Sequence, residues 1–81
     1  MTKTEANKLL WETSDQISLI FRHVSEKKRT RSEAASVLKD LSSFNREYLA
    51  KTKSATGKRA LREACEMYED AATRMKNGYL W

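Results

Sequence analysis

Apolar residues recur along this chain at intervals of three and four, the spacing of one face of an α-helix, and no stretch alternates as a half-buried strand would. In the first segment Ala6, Leu10, Thr13, Ile17, Ile20 and Val24 form a seam that Leu9 and Phe21 widen. Thr2 and Glu5 stand at capping-box spacing, where each side chain can satisfy the other residue's backbone N–H at a helix start. The charged run Glu26-Lys27-Lys28-Arg29 ends the pattern, so a first helix is predicted over residues 4–26.

A second capping box, Thr30-Arg31-Ser32-Glu33, opens the next periodic stretch, predicted as a helix over 31–51. Its inward face is read as Ala34, Val37, Leu38, Leu41, Phe44, Tyr48 and Leu49. Ser32, Ser36, Lys39, Asp40, Ser43, Arg46 and Glu47 are read as its solvent face. A third helix is predicted over 57–77, with Leu61, Ala64, Cys65, Tyr68, Ala71, Ala72 and Met75 inward and Asn77-Gly78 as a C-terminal stop. Alanines at 60, 64, 71 and 72 permit close helix approach.

Short connections between helices of similar length favour antiparallel neighbours, which predicts an all-α, up-down-up three-helix bundle occupying residues 1–81 as one domain. The composition agrees: no proline and two glycines in 81 residues. A chain this short buries a modest fraction of its surface, so a second copy is one candidate partner and a homodimer one candidate state. The longest apolar runs, Leu9 to Trp11 and Leu19 to Phe21, fall far short of the ~20 residues that span a bilayer. With no signal-like segment after the N-terminus, a cytoplasmic location is expected.

Sixteen Lys and Arg against eleven Asp and Glu leave a net charge of +5, which favours acidic partners at long range. The excess is concentrated in two windows, one holding Arg22, Lys27, Lys28, Arg29 and Arg31, the other Lys51, Lys53, Lys58, Arg59 and Arg62. Such clusters can contact phosphates, although cations near helix C-termini are also simply favourable there, and neither window interleaves aromatic residues for base stacking.

Catalytic chemistry finds no purchase in the sequence. Cys65 and His23 each occur once, so neither an internal disulfide nor a Cys/His metal set is available, and no cofactor or metal is expected. His23 is expected in solvent and Cys65 in the core. Glu63, Glu66, Glu69 and Asp70 fall on the outer face of the third helix, beside Arg59 and Arg62, where no cleft would separate their pKa values.

On the first helix Trp11, Asp15, Leu19 and Arg22 form a second stripe turned away from the core seam, a residue set of the kind that anchors protein interfaces. Trp81, with Tyr79 and Leu80, is read either as a docking tail or as a plug for the bundle end. The stretch from Ser32 to Leu49 resembles a helix-turn-helix in its Glu-Ala-Ala and Leu-Leu elements. Lys39 stands where the turn glycine belongs and Asp40 where a buried aliphatic belongs, and the periodicity continues unbroken, which favours one helix. In outline the chain also looks like bacteriocin-immunity proteins, small basic helical bundles, with no motif carrying the likeness.

The expectation is therefore a non-enzymatic protein-binding module, of the regulator or inhibitor kind that phages and mobile elements encode, acting by covering a surface of a larger protein through Trp11, Asp15, Leu19, Arg22 and Trp81. The alternative is a nucleic-acid-binding protein using Lys27, Lys28, Arg29 and Arg31 at one helix end and Lys51, Lys53, Lys58, Arg59 and Arg62 at the other.

Overall fold

A computed structural model describes residues 1–78 as three helices, α1 (Lys3–Ser25), α2 (Arg31–Lys51) and α3 (Ala55–Lys76), packed as a three-helix bundle. No strand occurs among the described residues. Each start has a chemical cause. The Thr2 hydroxyl accepts the Glu5 N–H at 3.2 Å while the Glu5 carboxylate accepts the Thr2 N–H at 3.0 Å, and Thr30 and Glu33 repeat the arrangement at 3.1 and 3.3 Å. These bonds, the backbone one first, hold the Glu5 carboxyl below the usual range. α3 begins two residues earlier than the sequence suggests because Ser54 supplies the cap, its hydroxyl accepting the Gly57 N–H at 3.2 Å.

α1 ends where Lys27 takes a left-handed backbone, φ 63°, and the carbonyl of His23 accepts the N–H groups of Lys28 and Arg29. His23, expected in solvent, is half-buried at this turn. Gly78, φ 82°, follows the last residue of α3 after Asn77, as the Asn-Gly pair suggests. α2 runs unbroken through Lys39 and Asp40, so the turn of a helix-turn-helix is absent.

α2 packs along α3, α1 lies mainly on α3, and α1 and α2 touch sparsely. The reason is visible in the facing surfaces. α3 presents Ala60, Ala64, Ala71 and Ala72, all buried, which lets two partners approach its backbone closely. Ile17, Ile20 and Phe21 from α1 and Leu38 from α2 then fill the space around Tyr68 and Met75, with Val24, Val37, Leu41 and Met67 packed at the margin. Each large side chain buried there stabilises the fold by about 1.5–3 kcal/mol relative to its exposure. Thr13, buried on α1, donates to the Leu9 carbonyl at 2.8 Å, and burial pushes the pKa of the Tyr68 phenol up.

The inward faces of α1 and α3 are those the periodicity predicts, Cys65 included. α2 differs. Its buried residues are Ala34, Ala35, Leu38 and Ser42, whereas Phe44 and Tyr48, expected inside, are 56% and 54% exposed. α2 carries two seams one residue apart, Ala35-Leu38-Ser42-Asn45-Leu49 and Ala34-Val37-Leu41-Phe44-Tyr48, both spaced by threes and fours. The bundle draws on both from Ala34 to Ser42 and follows the first beyond it, where Asn45 and Leu49 are half-buried and Phe44 and Tyr48 are exposed. Ser42 is small enough for close packing on α3, and its hydroxyl donates to the Cys65 carbonyl at 3.5 Å and to Glu69 at 3.2 Å.

Candidate functional site

Three aromatic side chains project from one half of the bundle. The antiparallel topology brings the N-terminal half of α1, carrying Trp11, to the same end as the C-terminal half of α2, carrying Phe44 and Tyr48. Trp11 is 72% exposed. Phe44 and Tyr48, one helical turn apart, meet edge to face with ring centroids 5.2 Å apart, and with Glu47 and Lys51 they border a shallow recess of about 210 Å³. Just beyond Lys51 the Thr52 hydroxyl donates to the Tyr48 carbonyl and completes the helix end.

The remaining α1 residues of the sequence-derived site are also outside the core. Asp15 and Arg22 are exposed and Leu19 is 39% exposed, so the stripe through Trp11, Asp15, Leu19 and Arg22 lies at the surface. Trp81 lies outside the described residues, as do Tyr79 and Leu80. Phe44 and Tyr48 are the surface aromatics that sequence reasoning assigned to the core.

The two basic windows stand apart. Lys27, Lys28, Arg29 and Arg31 occupy the α1–α2 connection, and Lys51, Lys53, Lys58, Arg59 and Arg62 lie around the α2–α3 connection at the opposite end of α2, roughly 30 Å away at 1.5 Å per residue. Lys28 pairs with Glu26 at 3.5 Å. Arg59 and Arg62 share the α3 surface with Glu63 and Glu66, so the second window is less uniformly positive in space than along the chain.

Among the outer acids of α3, Glu69 has a structural role. It accepts from the Arg46 guanidinium and from Ser42, tying α3 to α2, and these bonds, Arg46 first, hold its carboxyl below the usual range. Asp70 accepts from Arg74 at 3.0 Å. No group of three or more metal-ligating side chains is gathered among the described residues. Nor is any helix there long and apolar enough to cross a membrane. Comparison with protein families, curated proteins and solved structures finds no match to this chain.

Proposed function

We propose that this protein is a non-enzymatic binding module that acts by covering a surface of a larger protein with its aromatic half. The observation that carries this reading is the exposure of Phe44 and Tyr48 on α2 beside a half-filled seam, with Trp11 exposed in the same half of the bundle. Aromatic side chains supply most of the binding energy in protein interfaces when they enter a partner's pocket, and a stable fold has little else to gain by leaving them in water. The edge of α2 offers Phe44 and Tyr48 as anchors at i and i+4, continued by the half-buried Leu41 and Val37 one and two turns before, the spacing by which one helix packs on another.

The separation of the basic windows supports this reading over nucleic-acid binding through both together, because phosphate contacts strengthen binding when they fall along one groove. The test is affinity capture from nuclease-treated lysate with wild type, Trp11→Ala, and Phe44→Ala combined with Tyr48→Ala. The α2 double variant is expected to keep its fold and lose the captured protein, with Trp11→Ala weakening capture. Capture that survives both substitutions, or that disappears on nuclease treatment of the wild type, overturns the proposal.

A further inference from the structure

Away from the aromatic half, the first turns of α2 and the last turn of α3 border a recess of about 450 Å³ lined by Arg31, Ser32, Ala35, Ser36, Lys39 and Lys76. Three cations and two hydroxyls surround it, and among the described residues no carboxylate does. Arg31 reaches from α2 to the end of α3, where its Nη1 lies 2.8 Å from the position a Cβ would take on Gly78. Lys39 of α2 and Lys76 of α3 line the same recess, and the Lys39 charge holds the Lys76 ammonium below the usual lysine range.

Some of the surface cations are tied down in ion pairs. Lys8, Lys28, Arg46 and Arg74 each have a carboxylate partner, in Glu12, Glu26, Glu69 and Asp70 respectively. Arg31, Lys39 and Lys76 have none among the described residues. One turn from Lys39 in either direction stand Ala35, Ser36, Ser42 and Ser43, and before Lys76 stand Ala72 and Thr73, so neither lysine has an acid three or four residues away on its own helix. Like charges held together across a seam favour a counter-ion between them.

We propose that this recess binds a phosphate group. Arg31 offers a planar fork of N–H donors, the two ammonium groups offer point charges, and the Ser32 and Ser36 hydroxyls offer neutral donors at the wall. A phosphate, with more than one negative charge and at least two free oxygens, matches that donor set better than a carboxylate does. The same chemistry is presented by a phosphorylated small molecule and by a nucleic-acid backbone. Arg31 also borders the surface formed by Lys27, Lys28 and Arg29, which a polymer would engage in addition.

The test is a titration followed by amide resonances, using inorganic phosphate, pyrophosphate and a short single-stranded oligonucleotide in turn. Saturable shifts are expected at Ser32, Ser36, Lys39 and Lys76, tighter for pyrophosphate than for phosphate. Lys39→Gln combined with Lys76→Gln should weaken pyrophosphate binding by roughly tenfold or more, on the loss of charge-assisted contacts. Lys8→Gln, which removes a cation outside the recess, should leave it unchanged. An oligonucleotide that competes with pyrophosphate identifies the backbone as the source of the phosphate, and pyrophosphate binding without such competition identifies a small molecule. Absence of saturation by every probe at millimolar concentration, or equal affinity in the double lysine variant, overturns the assignment.

Discussion

The two halves of this bundle are built from the same three helices and differ in what fills the space between them. Where α1 ends, α2 begins and α3 ends, Ile17, Ile20, Phe21, Leu38, Tyr68 and Met75 interlock around small residues. At the other end Ala6, Gly57, Ala60, Leu61 and Ala64 are buried, while Leu9, Leu10 and Leu49 are only partly covered and Phe44 and Tyr48 face water. One half is closed by its own side chains and the other leaves its largest ones unused. In so small a domain stability and contact surface have been given to different ends, so substitutions should separate the two properties.

The largest expected effect is on the closed half. Leu38→Ala removes a side chain with no exposure and should cost about 2–5 kcal/mol in a urea unfolding experiment. Phe44→Ala, a larger truncation on the open half, should cost roughly 0.5 kcal/mol or less, as surface changes do. Equal losses at the two positions would erase the distinction. Next in size, Thr30→Ala should cost about 1 kcal/mol through loss of the α2 cap, read as a lower midpoint in thermal unfolding.

A smaller effect concerns the tie between α2 and α3. Because the Glu69 carboxyl is held below its ordinary range in the folded state, its contribution is complete above that range and fades as pH falls through the depressed value. Wild type should therefore lose stability on acidification below about pH 4.5, the ordinary carboxylate value, more steeply than Glu69→Gln. Parallel pH profiles would show that the tie contributes nothing. The smallest perturbation is chemical labelling of Cys65, buried at the middle of α3, whose pKa burial pushes up. Its reaction with a thiol reagent should require opening, and under native conditions should run faster than exchange of the Leu38 amide if the open half loosens first.

Much of the fold is legible in the sequence because its signals are local. Both capping boxes, the break at Glu26 to Arg29, the Asn77-Gly78 stop and the inward faces of α1 and α3 depend on residues within a turn or two of one another. The Ser54 cap is harder, since Thr52, Ser54 and Thr56 all offer hydroxyls at the same connection. The face of α2 is not a local question. Two seams of similar spacing compete, and the bulky Phe44 and Tyr48 favour the wrong one on hydrophobicity alone. Close approach to the alanines of α3 rewards Ala35 and Ser42 instead. The phosphate recess is hidden for the same reason: Lys39 and Lys76 are distant along the chain and meet only because α2 and α3 run side by side.

Ser42 has a consequence beyond the bonds it makes. Turning α2 by ~100° about its axis, one residue's worth of rotation, would bring the Val37-Leu41-Phe44-Tyr48 row inward and carry Ser42 away from Cys65 and Glu69. The same rotation would draw Leu38, which has no exposure, out of the core. The Ser42 hydroxyl, with the Arg46 and Glu69 pair beside it, adds a polar preference for the observed orientation to the burial of Leu38. The aromatic edge of this protein is thus displayed because Leu38 and Ser42 occupy the adjoining face of the same helix.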